Sequence, residues 1–171
     1  MKRKIFFYFI FIVLFLLLQT TLLQYARIYG VMPNLLITFT IVAALIRNST
    51  EGAAAGFFSG LCIDLQFGAV IGFHALLGLY LGIAAGSVNR RIFRENLMVV
   101  IFFTLIYSVA YESVVFIINN IMSGSIKFIF AFTKVILPEA VYNGAVSILL
   151  FPLLVKAGKR FDMTSAAVRK Y

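Results

Sequence analysis

Three of the six acidic residues in this chain, Asp64, Glu112 and Glu139, sit inside long apolar stretches, and the single histidine, His74, follows soon after the first of them. An ionisable group in such surroundings is costly unless it faces a polar neighbour, a ligand or a watery cavity. Helical spacing then groups the polar residues. Glu139, Asn143 and Ser147 recur at every fourth position and share one face. Ser108, Glu112 and Asn119 occupy one side of another helix, with Tyr107 and Tyr111 beside them. The pattern points to a polar pocket or seam opening outward, with Asp64, His74, Glu112, Glu139 and Asn143 as candidate partner or ligand groups. The bland alternative makes Asp64 and Glu139 wet residues at the membrane interface.

Catalytic readings of the same residues are weaker. Ser59 with His74 would suggest an intramembrane serine protease, but no oxyanion donor is evident and Ser59 lies deeper than His74. Geometry must come before any catalytic label. A lone histidine is no metal site without further ligands, although Asp64 and His74 could be close. Neither a phosphate-binding loop nor a His-Glu-x-x-His motif occurs. The expectation is a non-enzymatic protein with no metal and no cofactor.

The elements that position these groups are membrane spans. Of 171 residues, 63% are apolar and 12% charged, with a mean hydropathy of +1.04. Soluble domains run near half apolar and a quarter charged, and a chain of this size has no core large enough to hide the excess. Apolar runs predict an all-α integral membrane protein, a compact bundle of six transmembrane helices forming a single domain, 1–171. The spans are expected at about 5–23, 31–46, 52–67, 71–88, 97–118 and 135–155. The first follows Met1-Lys2-Arg3-Lys4 and lacks an Ala-x-Ala site, so an uncleaved anchor is favoured over a signal peptide. The second is short, roughly 24 Å at 1.5 Å per residue, and whether it fully crosses is open. Pro33 suits its N-terminus. The stretch 126–132 is expected along the interface. Cys62, the only cysteine, excludes an intrachain disulfide and reads as a small buried residue.

Basic residues set the orientation. Lys2, Arg3, Lys4, Arg47, Arg90, Arg91, Arg94, Lys156, Lys159, Arg160, Arg169 and Lys170 fall on one side, against Arg27, Lys127 and Lys134 on the other. Both termini are therefore expected in the cytoplasm, and Asp64, His74, Glu112 and Glu139 in the outer half. The formal charge of +9 flanks apolar runs, which favours anionic lipid over nucleic acid. The loop 89–96 is the densest basic cluster between spans.

Glycine has its own pattern. Gly52, Gly56 and Gly60, and then Gly78, Gly82 and Gly86, recur at every fourth position. Small residues so spaced give a smooth helix face on which another backbone can approach closely. Packing within the bundle is favoured over a dimer interface, and a compact hairpin of the third and fourth helices follows.

The run Gly56-Phe57-Phe58-Ser59-Gly60-Leu61-Cys62-Ile63-Asp64-Leu65, then Gly68 and Gly72-Phe73-His74-Ala75-Leu76, resembles the signature of the MreD family of bacterial rod shape-determining membrane proteins. Pro33-Asn34-Leu35-Leu36, and Tyr142-Asn143 with Pro152, are similar to that family too. Size, span number and topology agree over nearly the whole chain, whereas Glu112 maps onto no family motif. The resemblance implies a non-catalytic, multi-pass subunit of the cell-elongation machinery in the bacterial inner membrane. It implies a single-span MreC-like partner and, indirectly, MreB filaments, RodA and penicillin-binding peptidoglycan synthases. It also implies an architecture similar to the substrate-binding subunits of energy-coupling-factor vitamin transporters, which are the rival reading. A vitamin site should carry more donors and stacking aromatics than the few Tyr and Asn residues here, and Trp is absent.

Overall fold

A computed structural model describes residues 2–23, 25, 27, 30–67, 70–88, 96–123 and 128–168. Among them the fold is all-helical: α1 (Lys2–Thr21), α2 (Leu35–Ile46), α3 (Ser49–Phe67), α4 (Phe73–Val88), α5 (Leu97–Ser123), α6 (Phe128–Ala131) and α7 (Leu137–Val168). A π-helical turn, Phe132–Ile136, joins α6 to α7 without a break, so the described residues form six helical rods. The basic loop 89–95 lies outside the described residues, as do 126 and 127 of the expected interfacial stretch. The remainder of that stretch is helical.

α2 is shorter than expected and far more central. Its apolar run continues back to Val31, but the helix begins only after Asn34, whose side chain accepts the N–H of Ile37. Pro33 thus precedes the cap rather than opening the helix. Twelve residues span about 18 Å at 1.5 Å each, well short of a hydrocarbon core of roughly 30 Å. Eleven of the twelve are buried, and α1, α3, α4, α5 and α7 all pack around them. The helix is the axis of the bundle, covered on all sides by its neighbours. Its attachment to α1 is aromatic: Phe39 sits with its ring centroid 5.4 Å from that of Phe15, 6.0 Å from Tyr8 and 6.1 Å from Phe11. Ring pairs at these separations favour edge and offset contacts over face-to-face stacking.

α3 and α4 form the tightest pair. Gly56 and Gly78 lie back to back, so a Cβ on either would collide with the carbonyl of the other. Gly52 faces Gly82 in the same way, Gly60 faces the His74 backbone, and Gly86 faces Ser49. Each four-residue step along α3 is matched by a four-residue step back along α4, which is an antiparallel register set by backbone contact. The two glycine ladders therefore meet each other inside the chain.

The outside of the bundle is apolar and part of its inside is polar. Phe9, Leu17, Tyr80, Phe102, Leu149 and Leu153 are exposed, whereas Gln19, Thr38, Thr40, Ser59, Thr104, Ser108, Asn143 and Ser147 are buried. That distribution suits lipid as the solvent. Among the described residues two helices are both long and apolar enough to cross a bilayer, Leu97–Asn120 and Phe128–Gly158, while Phe7–Thr21, Leu35–Ile46 and Phe73–Val88 are apolar but shorter.

Candidate functional site

The five candidate residues fall into two adjoining groups. The first is Asp64 with His74. Asp64 comes near the end of α3, one helical turn beyond Gly60, and is 2% exposed. Its Oδ2 accepts the backbone N–H groups of Gly72 at 2.9 Å and Ala75 at 3.0 Å. Its Oδ1 accepts the backbone N–H of His74 at 2.9 Å and meets His74 Nδ1 at 2.9 Å. These N–H groups begin α4, where no helical carbonyl can reach them, and an anionic acceptor there is further favoured by the helix dipole. The turn that delivers them needs Gly72, whose φ is +99°. Asp64 is thus a cap borne by the preceding helix, and it locks the hairpin at the end opposite Gly52 and Gly82.

Asp64 holds His74 Nδ1, which would leave Nε2 free to serve a serine, but no hydrogen bond joins His74 to Ser59 among the described residues. The Ser59 hydroxyl is fully buried and has no hydrogen-bond partner among the described residues. The protease geometry is absent from these two side chains.

The second group gathers at the N-terminus of α2. Asn143 of α7 is fully buried. Its Oδ1 accepts the Asn34 backbone N–H at 2.8 Å, and its Nδ2 donates to Ser108 of α5 at 3.1 Å. Beside them the Glu112 carboxyl adjoins the Glu139 carboxyl and the Asn34 side chain. Glu112 and Glu139 are both partly exposed at the α5–α7 seam. From the far side Gln19 accepts the Leu36 N–H at 3.4 Å, so three side chains serve the buried start of α2.

Tyr111 links the two groups. Its ring centroid lies 6.4 Å from that of His74, and its hydroxyl lies in the field of the Glu112, Asp64 and Glu139 carboxyls. The residue is 3% exposed, yet the hydroxyl has no hydrogen-bond partner among the described residues. The spacing argument placed Tyr111 beside the polar face without giving it a role. It also passed over Asn34, although Asn directly before an apolar helical run is a capping signal. Asn119, grouped with Glu112 by spacing, is exposed near the end of α5 and apart from this cluster.

No group of three or more His, Cys, Asp or Glu side chains among the described residues could hold a metal ion. Asp64 is occupied by four donors, which leaves two carboxyls, an amide and a phenol. That set suits recognition of a charged or hydrogen-bonding partner and carries no nucleophile–base pair.

The family model of the rod shape-determining protein MreD matches residues 2–160, nearly the whole chain. The chain belongs to the MreD family. No curated protein and no solved structure matches it. Membership places the chain among bacterial inner-membrane proteins with a role in rod-shape determination, a family of structural proteins and not of known enzymes. The MreD match gives no support to the vitamin-transporter alternative.

Proposed function

We propose that this chain is a six-span, non-catalytic subunit of the bacterial cell-elongation machinery, with both termini in the cytoplasm, and that it works by docking other membrane proteins. The partner we assign is a single-span MreC-like protein, through which MreB filaments, RodA and penicillin-binding peptidoglycan synthases are reached. Anionic lipid meets the basic cytoplasmic ends. The observation that carries the reading is the MreD match over residues 2–160. The bundle is physically suited to it: an apolar exterior, little soluble mass, and a polar seam at α5 and α7 that is partly open to a neighbouring helix.

Purification of the full chain from its native membrane, with its partners, tests this. The expected result is copurification of the MreC-like protein and of cell-wall synthesis proteins. Recovery of a bound vitamin or an ATPase module, without cell-wall proteins, would overturn it.

A further inference from the structure

The Glu112 and Glu139 carboxyls adjoin each other, and no cationic side chain among the described residues pairs with either. The ion pairs among the described residues are His74 with Asp64 and Arg47 with Glu51, and neither involves this pair. The groups that act on Glu112 and Glu139 are each other and Asn34, and Tyr111 lies within their field. Lys134 precedes Glu139 by five positions but is exposed on the π-helical turn and makes no ion pair with it. Two carboxyls so placed cannot both ionise unless a cation lies against them; without one they share a proton, whose place a cation would take.

Tyr111 supplies a second, independent observation. A buried phenol without a partner among the described residues costs stability that burial of its ring alone would not require, and this hydroxyl lies in the field of the Glu112, Glu139 and Asp64 carboxyls. Bare metal ions fit poorly. A hard divalent cation takes six or more oxygens, and Asp64 is already saturated by Gly72, His74 and Ala75. A guanidinium or ammonium fits better, since its several N–H donors can divide between two carboxylates and a phenol oxygen.

We propose that the Glu112–Glu139 pair, with the Tyr111 hydroxyl behind it, receives an Arg or Lys side chain carried on a transmembrane helix of a partner protein. The inference rests on the docking reading above and gives it a contact. Glu112 lies fifteen residues beyond Leu97, roughly 22 Å along α5. The partner's basic residue therefore belongs in the outer part of its own span.

The test uses the full chain in phosphatidylcholine vesicles, titrated with a dye-labelled Leu/Ala helix of about 23 residues that bears one Arg in its outer third. A second helix has Leu at that position. Energy transfer should show the Arg helix associating about ten-fold more tightly, and E112Q/E139Q should abolish the preference while leaving thermal unfolding cooperative. If the double variant does not fold, Glu139→Gln and Tyr111→Phe replace it, each expected to lose about three-fold or more of the preference. Equal association of the two helices overturns the proposal, as does a preference that survives the Glu→Gln changes. Stabilisation by sodium over choline with no Arg preference overturns it in favour of a small cation. Failure of the docking reading is separate, since it shows as loss of MreC-like copurification by the wild-type chain whatever the vesicle result.

Discussion

The Asn143 side-chain oxygen accepts the backbone N–H of Asn34 at 2.8 Å, across 109 positions of sequence. The same amide donates to Ser108, so one buried residue joins α2, α5 and α7. Asn143→Ala should leave the Asn34 N–H and the Ser108 hydroxyl without partners. A buried polar group left unsatisfied costs about 1–3 kcal/mol, although interhelical bonds in membranes average nearer 0.6 kcal/mol. The expected outcome is a loss of about 1–2 kcal/mol in detergent unfolding. Ser108→Ala should cost less, because Asn143 keeps its bond to Asn34.

Gly56 and Gly78 set the closest approach of α3 and α4. Gly78→Ala would drive a methyl group into the Gly56 carbonyl, which backbone cannot easily yield. Overpacking costs typically about 1–3 kcal/mol and sometimes more, so the upper end is expected here. Ala54 is exposed on α3, the helix that carries Gly56, and Ala54→Leu should be nearly neutral. Thermal unfolding of the two variants side by side checks this. Equal effects would mean that the ladder is not the close contact.

How much of this was legible beforehand follows from the physics of each residue. Glycine at every fourth position announces a close helix contact, and the hairpin partner was within reach because both ladders have the same period. The Asp64–His74 proximity could be suspected, but not that Asp64 would close a helix terminus, because capping across a turn depends on the path of residues 68–72. The length of α2 was misjudged because apolar periodicity cannot tell a buried axial helix from a span, and Val31 and Met32 extend the apolar run without extending the helix. Glu112 and Glu139 come from helices with no adjacent sequence, so only tertiary packing could pair them. The unpartnered Tyr111 hydroxyl was invisible for the same reason.

Asp64 accepts three backbone N–H groups and one ring nitrogen. Asp64→Asn keeps the shape but puts an amide NH2 where backbone donors now converge. Hydrogen bonds to a charged group are worth about 1.5–3 kcal/mol net, so this change should cost at least about 2 kcal/mol. His74→Ala removes only the ring contact and should cost about 1 kcal/mol. The order of the two losses in thermal unfolding is the check. A larger effect from His74→Ala would show that the ring, and not the helix cap, is what Asp64 serves.

The proposed topology puts the α1–α2 and α3–α4 connections outside, and the α2–α3 connection with the end of α4 inside. Tyr25 and Val70 are exposed in the first two, and Thr50, in the first turn of α3, and Ser87, in the last turn of α4, are exposed beside the last two. In a Cys62→Ala background, single cysteines at Tyr25 and Val70 should react with an impermeant maleimide added to intact cells. Cysteines at Thr50 and Ser87 should react only after the membrane is opened. The weak element is α2, which at twelve residues would cross only with its neighbours covering it. If Tyr25 and Thr50 label from the same side, α2 does not cross, and the orientation of everything before it inverts relative to α3. The carboxyl pair offers a second reading of the same experiment. A cysteine at partly exposed Tyr142, three positions after Glu139 and on the same side of α7, should label from outside if the seam opens outward, and labelling only from inside would remove the outward site.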